Sequence, residues 1–134
     1  MENSKYGLQF GWEGDNGLGD RLINQVLQGE KTATCAPEFG YKEDELKQVF
    51  AAKGTIVPLV DKNEVQRGRV KMDDVVRTTF GNPDPRLVSG ECCGNDVKKF
   101  QDGHRNAWKN WLLEINRELN NDTVLIVECF TLCR

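Results

Sequence analysis

The chain has 134 residues, 29% of them charged, a net charge of −3 and five cysteines. That length suits a single domain over residues 1–134, able to bury a core without metal or disulfide staples. The acidic balance argues against a protein whose main task is gripping duplex DNA or other long nucleic acid, because such proteins carry a cationic surplus.

The opening Met1-Glu2-Asn3-Ser4-Lys5 is polar and leads into no long apolar run, which predicts no leader, no membrane span and a cytoplasmic protein. Tyr6, Leu8, Phe10 and Trp12 alternate with Gly7, Gln9 and Gly11 and predict a half-buried strand over 5–12. Asp15, Asn16 and Gly17 then offer helix-start chemistry. Leu18, Leu22, Ile23, Val26 and Leu27 form an apolar stripe at helical spacing, and Gly29 stops it. A strand starts near Lys31, and a second helix is expected over 43–53. Thr55–Val60 reads as a strand that Pro58 confines to an edge or a bulge. A longer strand is expected from about Val65 to Phe80, broken near Asp73-Asp74. After a Pro- and Gly-rich loop and a short helical piece at Val97–Phe100, the Trp108, Trp111, Leu112, Ile115 and Leu119 spacing predicts a helix over about 104–120. The last strand, Thr123–Cys133, is apolar on both faces and belongs in the middle of a sheet. Helices mixed with irregularly spaced antiparallel strands point to an α+β protein built on a small curved β-barrel with flanking helices.

The densest chemistry lies in Gly29-Glu30-Lys31-Thr32-Ala33-Thr34-Cys35, where a turn enters a strand and brings an amine close to hydroxyls. An amine beside a hydroxyl can turn a weak nucleophile into a useful one. Strand alternation sends Lys31 and Ala33 to one face and Thr32 and Thr34 to the other. Trp12 ends a strand among glycines and is well placed to meet a ligand, whereas Trp108 and Trp111 sit on an apolar stripe that favours core packing. His104, the single histidine, stands at the expected helix start. Arg67, Arg69 and Lys71 share a strand face that could hold a phosphate backbone or simply meet solvent. Cys35, Cys92, Cys93, Cys129 and Cys133 include no Cys-x-x-Cys pair, so neither metal nor other cofactor is expected.

In this order the segments resemble the ASCH domain family, whose barrel is similar to that of the PUA domain. The resemblance rests on Phe10-Gly11 closing the first strand, on Leu18–Leu27 followed by Gly29-Glu30-Lys31-Thr32-Ala33-Thr34, on the Trp-bearing Asp102–Lys109, and on the closing strand Val124–Phe130. It implies a cleft on the barrel, lined by the Lys-Thr motif and the late helix. Some relatives are metal-independent amidohydrolases that remove the acetyl group of N4-acetylcytidine with a lysine, a threonine and a glutamate. Others are described as RNA-binding or RNA-cleaving modules. Carried onto this chain, the lysine is Lys31 and the threonine Thr34. The position before the helix tryptophan that holds the glutamate in relatives carries Gln101-Asp102-Gly103 here, which makes Asp102 the nearest fit for the acid and Glu91, earlier in the chain, the second candidate. Thr32, Trp12, Phe10, His104 and Arg69 are the expected substrate contacts. The expected ligand is a modified nucleoside or single-stranded RNA, with hydrolysis of an N4-acylated cytidine as the first reading and RNA binding without hydrolysis as the second.

Overall fold

The computed structural model describes residues 7–134. Its elements are β1 (Leu8–Gln9), α1 (Leu18–Leu27), β2 (Ala33–Pro37), a 3-10 turn (Glu38–Gly40), α2 (Glu43–Ala51), β3 (Ile56–Val60), β4 (Gln66–Thr79), α3 (Pro85–Val88), a kinked turn (Ser89–Cys93), α4 (Val97–Glu114) and β5 (Val124–Leu132). The strands form one sheet in the order β1-β3-β4-β5-β2, curled into a half-barrel. All pairings are antiparallel except that of β1 with β3.

β5 lies inside the sheet, between β4 and β2, as its apolar faces require. Its residues alternate between two cores. Ile126 and Phe130 join Ile23, Val26, Val49 and Val70 under α1 and α2. Leu125 and Val127 join Ala33, Phe80, Leu87 and Phe100 under α3 and α4. The expected break in the long strand is a bulge: the β4–β5 register slips between Met72 and Asp74, with Asp73 as the extra residue. Pro58 is tolerated on β3 because β1 covers only Leu59 and Val60, leaving the proline where no ladder donor is needed.

Three expectations are corrected. The first strand shrinks to Leu8–Gln9, because Gly11 and Gly14 turn the chain with φ of 100° and 82°; Tyr6 lies outside the described residues. Asp15 organises the loop that follows, its carboxylate accepting from the backbone N–H groups of Trp12, Gly17 and Gly19. The late helix begins seven residues early, at Val97, and ends at Glu114. Asp96 caps it by accepting from Lys99 N at 3.0 Å, so the short piece at 97–100 is its first turn. Asn116, at φ 56°, turns the chain away before Leu119.

Gly90 decides how the kinked turn meets the sheet. Thr32 N donates to Gly90 O at 2.9 Å, and a Cβ on Gly90 would stand 2.8 Å from Ala33 N. Only a residue without a side chain lets the turn lie flat on the start of β2. Gly90→Ala is therefore expected to cost about 1–3 kcal/mol and lower the thermal midpoint by several degrees. Gly103→Ala, in the middle of α4 with nothing within 4 Å of the added carbon, is expected to gain roughly 0.5–1 kcal/mol. Paired thermal melts of the two variants check both signs.

Candidate functional site

The site is built around Lys31. After α1 the chain folds back on itself: Gly29 takes φ 80°, and the N–H groups of Glu30 and Lys31 both donate to Gln25 O. Lys31 thus sits in the turn before β2, and its side chain runs inward, 2% exposed. The ammonium donates to Ala33 O at 2.8 Å and to Glu91 Oε1 at 3.0 Å, and lies 5.6 Å from the centre of the Phe10 ring. A buried ammonium is tolerated only with such partners, since an unpaired one costs several kcal/mol.

Glu91 comes from the kinked turn, where Cys92 adopts φ 65° and the preceding Gly90 brings the backbone against β2. Its side chain is 11% exposed. While Oε1 takes Lys31, Oε2 accepts from His104 Nε2 at 3.0 Å and from the Cys35 thiol at 3.4 Å. Burial pushes the Glu91 carboxyl up, but the hydrogen bonds and charges of His104 and Lys31 outweigh it and hold the group at about 2. Burial and the neighbouring Glu91 carboxylate push the Cys35 thiol well up, which makes it a donor rather than a ready nucleophile.

His104 stands on α4 in a ladder with Phe100 and Trp108, its ring centroid 4.3 Å and 4.7 Å from theirs. The i, i+4 spacing of these three stacks them on one helix face. Nδ1 lies 2.8 Å from Phe100 O and Nε2 lies 3.0 Å from Glu91 Oε2. Both partners are acceptors, an arrangement satisfied when both ring nitrogens carry a proton.

These groups floor a cleft of about 450 Å³ that Thr34, Phe10, Trp12 and Trp108 also line. A second groove of about 690 Å³ shares Trp12 and Trp108 with it and is also lined by Trp111. Of the residues expected from sequence, Lys31, Thr34, Glu91, Phe10, Trp12 and His104 come together here. Thr34 lies in register with buried Glu128. Thr32 is exposed and works through its backbone, accepting from Phe130 N as well as donating to Gly90. Asp102 lies elsewhere: it is exposed and bonded to Lys98 at 2.6 Å and Arg105 at 3.2 Å. It is two residues from His104, so the helix turns it to a different face. Arg69, exposed on β4 opposite Pro58, is not among the cleft residues, and Arg67 is tied to Asp20 and Asp61. Trp108 packs against the second core and also lines the cleft, and Trp111 stacks on Phe39 at 5.9 Å. Sequence reasoning missed the convergence of Cys35 and His104 on Glu91; the Phe100/His104/Trp108 spacing was the available signal.

A curled half-barrel flanked by helices, with a buried lysine at the mouth of its second strand, defines a PUA-like α+β domain. The ASCH domain family matches residues 8–134, nearly the whole length, and the chain belongs to that family. No curated protein sequence matches it. Among solved structures it is similar to a protein from Enterococcus faecalis, with a TM-score of 0.77 and 18% identity over 99% of this chain and 79% of that one. It is also similar to an ASCH domain from Lactobacillus crispatus, with a TM-score of 0.73 and 18% identity over 96% and 80% of the two chains. At that identity the likeness concerns the fold.

The Glu91 geometry carries a pH dependence. A carboxyl held at about 2 when folded, against an ordinary 4.5, stabilises the fold fully above pH 4.5 and loses that contribution as pH falls toward 2. The contribution is about 3 kcal/mol. Urea unfolding between pH 6 and pH 2 is expected to show this loss. Glu91→Gln, already weaker by about 3–5 kcal/mol at pH 6 because it strands the Lys31 charge, is expected to show a shallower decline.

Proposed function

We propose that the cleft hydrolyses the amide of N4-acetylcytidine or a related acylated nucleoside without using a metal. The observation that carries this reading is the buried Lys31–Glu91 pair, 3.0 Å apart, on the floor of a cleft that Thr34 also lines.

Amide hydrolysis needs a nucleophile, a route for its proton and a positive charge facing the oxyanion. Thr34 Oγ is the nucleophile toward the acetyl carbonyl. The fixed Lys31 ammonium stabilises the negative charge that grows on the carbonyl oxygen. Glu91, held ionised, is the acceptor for the Thr34 proton. His104, bonded to Glu91, gives a proton to N4 as the C–N4 bond breaks, and Glu91 returns one to His104. Water then cleaves the acetyl ester of Thr34, releasing acetate and restoring the hydroxyl. Trp12 and Trp108 offer apolar faces against which the pyrimidine can stack, an interaction worth ~1–3 kcal/mol.

One observation favours a second reading, RNA binding without hydrolysis. The groove beside the cleft carries Trp12, Trp108 and Trp111 and has room for a further base.

Incubation with N4-acetylcytidine is expected to yield cytidine and acetate. Lys31→Ala and Thr34→Ala are each expected to lower kcat/KM by at least ~10²-fold, and Asp102→Asn to leave it unchanged. Full turnover in Thr34→Ala contradicts the assignment. Absence of turnover together with salt-sensitive binding of short single-stranded RNA by the unaltered protein supports the second reading.

A further inference from the structure

Cys35 Sγ, Glu91 Oε2 and His104 Nε2 point at one another across 3.4, 3.0 and 3.9 Å. They arrive from β2, the kinked turn and α4, so no local spacing in the sequence announces them. We propose that these three atoms form a binding site for a thiophilic divalent cation of the zinc class.

The triangle has the right size. Zinc bonds of about 2.3 Å to sulfur and about 2.0–2.2 Å to nitrogen or oxygen place tetrahedral ligand atoms roughly 3.3–3.7 Å apart. The three separations here bracket that range, and a point roughly 2 Å from all three atoms lies between them. Binding would displace the Cys35 thiol proton and any proton on His104 Nε2 to solvent, and the resulting thiolate, imidazole and carboxylate form a set that suits zinc and excludes magnesium or calcium, which take oxygen ligands.

The surroundings are those of a metal-binding histidine. Nδ1 faces Phe100 O at 2.8 Å, which fixes the ring and leaves Nε2 as the ligating atom. A tilted contact with Phe100 and an edge-on contact with Trp108 hold the ring plane. Glu91 divides its oxygens, Oε1 to Lys31 and Oε2 to the triangle, so the ion pair need not break when a metal binds. Lys31 opposes the cation through its charge, and Lys99 stands at the rim of the same cleft. That repulsion acts on any divalent cation, and for a thiophilic one the bond to thiolate offsets it. All three ligands line the cleft, so the fourth coordination position opens into it and is left to water.

The site stands whether or not the cleft hydrolyses an amide. If it does, the metal occupies the point through which the His104–Glu91 proton passes, and zinc inhibits.

Purified protein titrated with zinc against a chromophoric chelator is expected to take up one ion per chain. Cys35→Ser and His104→Gln should each weaken uptake at least tenfold, while Cys92→Ser and Cys133→Ser leave it unchanged. Cobalt(II) added to the unaltered protein should give an intense thiolate-to-metal charge-transfer band with the visible spectrum of four-coordination, a readout independent of how any variant folds. No uptake, no thiolate band, or uptake lost in Cys92→Ser or Cys133→Ser but kept in Cys35→Ser overturns the proposal. Failure of N4-acetylcytidine turnover with zinc binding intact overturns the hydrolysis reading alone.

Discussion

One ammonium buried at the junction of a helix and a sheet sets the terms for the rest of this molecule. Lys31 is enclosed by Phe10, the Ala33 carbonyl and Glu91, and a charge in that position is stable only while each partner holds its place. The turn after α1 delivers the lysine, β2 delivers the carbonyl, and the kinked turn delivers the carboxylate. Gly90 is the point of contact between the last two, which is why a backbone without a side chain is needed there. The half-barrel therefore does more than bury apolar surface. It brings residues 60 positions apart in the chain into a hydrogen bond on the floor of a cleft.

Glu91 is shared between groups of different character. One oxygen answers Lys31; the other answers an imidazole and a thiol. Sharing keeps the carboxylate ionised in a setting where burial alone would neutralise it. It also gathers three polar atoms, Oε2, Nε2 and Sγ, at a single place. The proposed proton relay and the proposed zinc ion would occupy the same point, so both proposals rest on one arrangement of Cys35, Glu91 and His104.

Elements with strong periodicity were legible in the sequence. The α1 stripe, the central β5 and the interrupted β4 follow from apolar spacing and from the two acidic residues at the bulge. α4 was misread at both ends because its amphipathic signal is concentrated around Trp108–Leu112, while its start depends on a single capping contact from Asp96. The site was legible where it is local: Lys31 and Thr34 lie three residues apart in one motif. It was not legible where it depends on the path of a loop. Position along the chain favours Asp102 over Glu91, and what reverses that order is helix phase, which turns Asp102 toward Lys98 and Arg105, and the fold of the kinked turn, which lays Glu91 on Lys31. The apolar stripe predicts the packing of Trp108 on the second core but not its other edge, which lines the cleft.

The central claim is that the Lys31 ammonium is sequestered against Glu91. Nitrogen-15 NMR of the lysine side chains tests it most directly. At neutral pH the account predicts one ammonium group, assigned to Lys31, whose protons exchange with water far more slowly than those of the other lysines and which shifts when Glu91 is changed to Gln. A Lys31 ammonium that exchanges as fast as the surface lysines, and is indifferent to that change, would contradict it.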